Sequence, residues 1–284
     1  MPGASALSLV RPSGPTEFET VAGPFLSARE AENNLALGLT SALKAGRHYG
    51  PTYFAAIRDG ERVVGAAMRA GLWLIVTAGT SDDALRMLVD DALRETPDAP
   101  GIVGPKELAR NAVDQWTAAT GQGARLQMAE RIYSLSRVIA PRAVSGRMRA
   151  ARAADLDLVA AWFLAFGREA QPHLTHPADD VRANAERWIA GGALRVWEDA
   201  ALVSMAGASG PTPNGIRVGA VYTPPEKRRR GYASALVAAL SREQLDAGKK
   251  FCFLYTDLAN PTSNKIYQDI GYEPVSDVDE YGFV

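Results

Sequence analysis

VGAVYTPPEKRRRGYASALVAAL, residues 218–240, joins a strand to a helix through a cluster of positive charge. A β-branched run ends at Tyr222. Pro224 and Pro225 stop it, because neither has an N–H to give to a ladder. Lys227, Arg228, Arg229 and Arg230 come next, then Gly231, and an amphipathic helical pattern starts at once. The first amides of a helix have no partner inside it and carry partial positive charge, which suits a phosphate group. Glycine lets the backbone approach a ligand closely and take a positive φ. A basic run alone is an ordinary solvated surface. Joined to a glycine and a helix start directly behind a strand, it reads as an anion-binding turn.

Downstream of this stretch, YASALVAALSREQLDAG closes at Gly248, FCFLYTD (251–257) is an apolar run of strand length, and PTSNKIYQDI is a short helix stopped by Gly271. Upstream, ARAADLDLVAAWFLAF and ADDVRANAERWIAGG have helical spacing, with strands expected at 193–198, 200–208 and 215–222. The first half has a similar order. Helical spacing over 28–46 precedes strand-like runs at 52–60, 62–70 and 72–79, with Asp59-Gly60 as a hairpin signal. Ser81 is the expected N-cap of DDALRMLVDDALRE, and a strand at 101–104, the helix ELARNAVDQWTAATG and a strand around 125–138 follow. Strand, helix, strand, helix, strand is written twice. This order predicts an α/β chain (an α+β mixed sheet) made of two similar domains. The seam should fall near Pro141–Gly146, where APRAVSGR is polar and broken by Pro and Gly.

Composition narrows the function classes. A chain of 284 residues has room for two domains at roughly 150 residues each. Thirty-one basic against thirty-two acidic side chains leave a net charge of -1, without the overall basic field of a non-specific nucleic-acid binder. No apolar run reaches the roughly 18 residues of a membrane-spanning helix, and MPGASALSLVRPSG lacks the marks of a signal peptide. The expectation is a cytoplasmic protein with neither a membrane nor a nucleic-acid partner. Cys252, the single cysteine, excludes an internal disulfide and a CxxC metal site. His173 and His176 lack a third ligand in QPHLTHP, so no metal is expected. No GxxxxGK[ST], HExxH or GxSxG is present, and GQGARL (121–126) ends on leucine where a dinucleotide fingerprint needs glycine.

Arg228-Arg229-Arg230-Gly231-Tyr232-Ala233 resembles the R/Q-x-x-G-x-G/A acyl-CoA signature of the GNAT acetyltransferase superfamily. The neighbouring VYTPPEKR and TDLANPTSNKIYQDIGYEPV resemble that superfamily as well, so the motifs cover 216–274 and the element order extends the likeness over 147–284. The resemblance implies two GNAT-like acyl-CoA acyltransferase domains in tandem, with acetyl-CoA as cosubstrate. Residues 147–284 would form the working domain. The loop from Arg228 to Ala233 would hold the CoA pyrophosphate. Val221, Tyr222 and Thr223 would meet the pantetheine arm, and Asn260 and Asn264 would border the cofactor. Residues 1–140 would form a degenerate copy: its LWLIVTAGTSDD has no RxxGxG, and its two aspartates would repel phosphate.

The second motif bears on chemistry. Asn260 is a good N-cap, with Pro261 well placed behind it. Asn264 and Tyr267, three residues apart, share a helix face. By resemblance Tyr267 is the catalytic general acid that protonates the departing thiolate; an ordinary phenol pKa of about 10 keeps it protonated at neutral pH. A base must also accept the proton of the amine. The strand 216–222 carries no acidic residue, so Glu198, Asp199, Asp257 and Glu280 are candidates and the base is unassigned. Trp162, Phe163 and Phe166 read as core, with an acceptor wall as the alternative, and Cys252 reads as an inert core thiol. The expected function is acetyl-CoA-dependent transfer of an acetyl group to a primary amine, on a small molecule or a peptide, by direct attack through a tetrahedral intermediate. The alternative is a non-catalytic acyl-CoA-binding sensor or interaction protein, which would bind without turnover. The acceptor and the oligomeric state (monomer or homodimer) are open.

Overall fold

A computed structural model of the chain describes residues 7–284. It divides into two compact units. The first comprises the residues up to Ile132, together with Gly210–Pro213 and Val275–Val284; the second comprises Tyr133–Ser209 and Asn214–Pro274. Each unit has a mixed sheet with helices, as the alternating pattern predicts, and the described residues form eight α-helices.

In chain order the first unit contains β1 (Leu7–Val10), α1 (Pro15–Ser27), α2 (Asn34–Lys44), β2 (Thr52–Asp59), β3 (Arg62–Ala70), β4 (Leu74–Val76), α3 (Asp82–Glu95), β5 (Gly101–Pro105) and α4 (Lys106–Thr120). β6 (Ala124–Leu135) leads into the second unit, which holds β7 (Arg147–Ala150), α5 (Leu156–Ala170), α6 (Ala178–Ala190), β8 (Leu194–Asp199), β9 (Ala201–Ser209), β10 (Gly215–Tyr222), α7 (Tyr232–Asp246), β11 (Phe251–Asp257) and α8 (Pro261–Asp269). β12 (Glu273–Phe283) begins in the second unit and ends in the first.

Within the first unit the strand order is β1-β2-β3-β4-β5-β12, antiparallel except for β4 beside β5. Its core packs Leu85, Leu88 and Val89 of α3 and Trp116 of α4 on Ile57, Ala67 and Ile102 of the sheet. The residues 28–46, expected as one helix, are a turn followed by α2. Asn33 accounts for the break. Buried at 2% exposure, its Oδ1 accepts from Ala78 N–H at 2.8 Å, and its Nδ2 donates to the carbonyls of Leu26 (3.2 Å) and Ala78 (3.3 Å). The last strand is also new relative to the sequence pattern. Val278–Gly282 pairs antiparallel with Gly101–Pro105, and Phe283 stacks on Trp116 at 5.0 Å, so the end of the chain completes the first unit.

The second unit runs β7-β8-β9-β10-β11. Only β10 and β11 are parallel, and α7 makes the crossover that a parallel pair requires. α7 is alanine-rich and buries Tyr232, Ala235, Leu236 and Leu240 along one stripe. Gly248 at φ +95° closes it, with Lys249 N–H bonded back to the Gln244 carbonyl at 3.1 Å. One core lies beneath α7, around Val218, Cys252 and Leu254; another lies beneath α5 and α6, around Trp162, Phe163, Val196 and Met205. No helix among the described residues is long and apolar enough to cross a membrane.

Candidate functional site

The parallel pairing of β10 with β11 covers three residues, Gly215–Arg217 against Phe251–Phe253, although both strands run on beyond it. A bulge in β10 coincides with this parting. Gly219 faces Gly207 and Tyr222 faces Met205 on β9, so Ala220 and Val221 share one opposite residue. Ala220 takes a left-handed φ of +50°. The bulge also re-aims the side chains: Val218 and Val221 pack in the core under α7, whereas Ala220 and Tyr222 pack under α5 and α6. The small pair Gly219-Ala220 inside a β-branched run was the available sequence signal.

Beyond Tyr222 the chain makes a single 3₁₀ turn over Pro225–Lys227. Arg228 is then tied down by the protein itself. Its Nε donates to the Thr223 carbonyl (2.8 Å), its Nη2 donates to both carboxylate oxygens of Glu169 on α5 (2.9 and 2.8 Å), and its guanidinium lies 5.7 Å from the centre of the Tyr222 ring. The next residues are open. Arg229 (φ +62°) and Gly231 (φ +85°) are both left-handed. For a non-glycine residue that costs about 1–2 kcal/mol. The first backbone bond of α7 runs from Ala235 N–H to the Gly231 carbonyl at 3.0 Å, and no side chain caps the helix. Among the described residues, the amides from Arg229 to Ser234 donate to nothing, and the side chains of Arg229 and Arg230 are exposed without a carboxylate partner. Orphaned donors, a helix N-terminus and two free guanidinium groups fit a pyrophosphate.

Tyr232 anchors this open turn. Its hydroxyl donates to Asp199 Oδ2 at 2.6 Å, and Ser145 Oγ donates to the same oxygen at 2.7 Å. These two bonds, helped by Lys227 and Arg230, hold the Asp199 carboxyl below the usual range. Ala233 sits in the first turn of α7, where its amide is one of the unpaired set.

At the open end of β11, Asn260 caps α8 by accepting from Ser263 N–H at 3.1 Å. Asn264 spends both amide hydrogens on the carbonyls of Asp257 (2.9 Å) and Asn260 (2.7 Å), and its Oδ1 accepts from the Tyr133 hydroxyl at 2.9 Å. It therefore clamps the first turn of α8 onto the strand end, with neither hydrogen left for a ligand. Tyr267 is buried in the core, its ring edge-on to Tyr272 at 6.0 Å. Its phenol makes no hydrogen bond among the described residues. Burial pushes its pKa up to about 12.

The acidic candidates are engaged elsewhere. Glu198 accepts from Arg149 (3.1 Å), and Asp257 accepts from Ala259 N–H (2.8 Å) at the start of the loop. Glu280 lies in the first unit. Of the other conspicuous residues, His176 bonds to the Gln171 carbonyl at 3.0 Å. Cys252 is fully buried, with its thiol pushed up to about 12. Trp162, Phe163 and Phe166 pack in the core under α5 and α6. Sequence reasoning missed Glu169, whose partner lies 59 positions away.

The FR47-like protein family model matches residues 201–281, which contain the bulged strand, the basic turn and both motifs. No curated protein matches the chain by sequence. Among solved structures, a protein from Drosophila is 14% identical with a TM-score of 0.66, covering 97% of this chain and 98% of its own. A GCN5-related N-acetyltransferase from Sphaerobacter thermophilus is 14% identical, TM-score 0.63, with 97% and 94% covered. A tandem GNAT protein from the clavulanic acid biosynthesis pathway is 13% identical, TM-score 0.54, with 98% of each chain covered. At these identities the likeness is one of fold: the chain has the GNAT fold in a tandem arrangement.

Proposed function

We propose that the second unit transfers an acetyl group from acetyl-CoA to a primary amine. The observation that carries this reading is the run of unpaired amides from Arg229 to Ser234, beside two free guanidinium groups and directly behind a pair of parting parallel strands. A pyrophosphate supplies acceptors for those amides, and Arg229 and Arg230 add charge-assisted bonds. Past Arg217 the backbone of β10 has no partner from β11, so it is free to pair with the amides of a pantetheine arm. Val221 is the backbone contact there, because the carbonyls of Tyr222 and Thr223 already accept from Ser204 (3.0 Å) and Arg228 (2.8 Å). Arg228 holds the turn rather than the ligand, and Asn260 and Asn264 act by fixing α8.

A neutral amine attacking the thioester carbonyl forms a tetrahedral intermediate that expels a thiolate. Tyr267 stays protonated throughout the neutral range and has no protein partner to release. Its pKa lies above that of a thiol, about 8.5. The phenol therefore steadies the departing sulfur by a hydrogen bond, and the proton that balances the reaction is the one the amine sheds. A hydrogen bond to a charged group is worth about 1.5–3 kcal/mol. Tyr267→Phe should then lower kcat by about 10–100-fold in an assay of released CoA thiol, with acetyl-CoA binding and melting temperature unchanged. An unaltered kcat removes Tyr267 from the reaction. Binding of acetyl-CoA without thiol release across a broad amine panel makes this a binding protein instead.

A further inference from the structure

Arg217 has no role in the machinery above, yet it occupies a telling place. It is the last residue of β10 paired with β11, two positions before the bulge, or about 7 Å at roughly 3.3 Å per residue. Ile216 and Val218 face the core under α7, so Arg217 emerges on the other face of the sheet. Three arginines of the second unit are not on the exposed surface: Arg149, Arg195 and Arg217. Arg149 is paired with Asp155 (2.7 Å) and Glu198 (3.1 Å), and Arg195 Nε with Glu243 (3.0 Å). Arg217 has no carboxylate or hydrogen-bond partner among the described residues; its guanidinium lies 6.0 Å from the centre of the Tyr255 ring. A charge drawn partly out of water is costly unless it is paired. The aromatic ring attracts the cation without taking any of its N–H donors, which stay available to a planar anion.

We infer that Arg217 anchors a carboxylate on the acceptor, which makes the acceptor an amino acid or another primary amine bearing a carboxylate. A single fork suits a planar monoanion, whereas phosphate draws on several donors, as the basic turn provides. The assignment rests on the acetyl-transfer reading of the same site, and the test separates the two.

Acetyl-CoA is titrated calorimetrically into wild type, Arg217→Gln and Arg217→Lys. CoA thiol release is then followed with amino acids and with their carboxamides. In parallel, N-acetylated amino acids and their carboxamides are titrated into each protein with CoA present, which needs no turnover. The expected result is unchanged acetyl-CoA binding in the variants. The wild type should prefer acid over amide at least tenfold through KM, lose that preference in Arg217→Gln and recover part of it in Arg217→Lys. Equal use and equal binding of acid and amide by the wild type, or a preference that survives in Arg217→Gln, overturns the anchor and leaves acetyl transfer standing. Failure of the wild type to bind acetyl-CoA overturns both. Should Arg217→Gln itself lose acetyl-CoA binding, the acid-over-amide preference in wild type and Arg217→Lys decides.

Discussion

Gly79-Thr80-Ser81 before α3 and Arg229-Arg230-Gly231 before α7 both carry the chain into a helix from a strand with a parallel neighbour. In the first unit the connection supplies most of its own acceptors, for five of the eight amides from Thr77 to Ala84. Thr77 N–H bonds to the Ala66 carbonyl (3.3 Å), Ala78 N–H to the Asn33 side chain (2.8 Å) and Ser81 N–H to the Val64 carbonyl (3.0 Å). Ser81 Oγ caps α3 by accepting from Ala84 N–H (3.4 Å), and Asp82 and Asp83 answer the helix dipole. In the second unit the equivalent amides have no such partners, the N-cap is a glycine, and the charges nearby are positive. One frame can thus serve as a closed structural turn or as an anion seat. What decides between them is whether the chain supplies its own acceptors.

The sharpest way to break this contrast is to add a methyl group at each left-handed glycine. Gly231→Ala should strain the open turn, where a Cβ would lie 2.9 Å from Val144 Cγ1, and weaken acetyl-CoA binding about 100-fold by calorimetry, in line with 1.4 kcal/mol per tenfold and the cost of a left-handed alanine plus a disturbed set of donors. Gly79→Ala, where the Cβ would meet Arg29 Nη1 at 2.7 Å, should lower the melting temperature and leave that binding alone. Equal losses of binding would mean that both turns serve the ligand. A smaller effect separates the arginines. Removing the free side chains in Arg229→Ala/Arg230→Ala should cost roughly tenfold or more in affinity, since each charge-assisted bond is worth about 1.5–3 kcal/mol when formed and less when exposed. Arg228→Ala should cost only what loosening its contacts to Glu169, the Thr223 carbonyl and the Tyr222 ring costs, and Glu169→Gln, which keeps the last two, should cost less. Smallest is Ser81→Ala, expected to lower stability by about 1 kcal/mol in denaturant unfolding without touching acetyl-CoA binding.

The alternation of strand and helix, the hairpin at Asp59-Gly60, the Ser81 cap and the basic turn were all legible, because each depends on neighbours within a few residues. Where the chain departs from that reading, the cause is distant. Asn33 interrupts a helical pattern because its side chain serves Ala78, 45 positions on. EPVSDVDEYGF has few strand-favouring residues, yet it forms β12 because Gly101–Pro105 offers it an edge. Arg228 looks like its two neighbours in sequence and differs from them through contacts to Glu169 on α5, the Thr223 carbonyl and the Tyr222 ring. The parting of β10 from β11 is a property of a pair of strands and is written in neither one alone.

The final ten residues belong to the first unit, and this sets an order in time. As the chain emerges during synthesis, β5 has no antiparallel neighbour from Val278–Gly282 and Trp116 no Phe283 against it until residues 278–283 have been made. At about 5–20 residues per second, the roughly 150 residues between Ile132 and that strand take about 7–30 s. The half that is born first is therefore finished last, and its exposed strand edge must be kept from other partners while it waits.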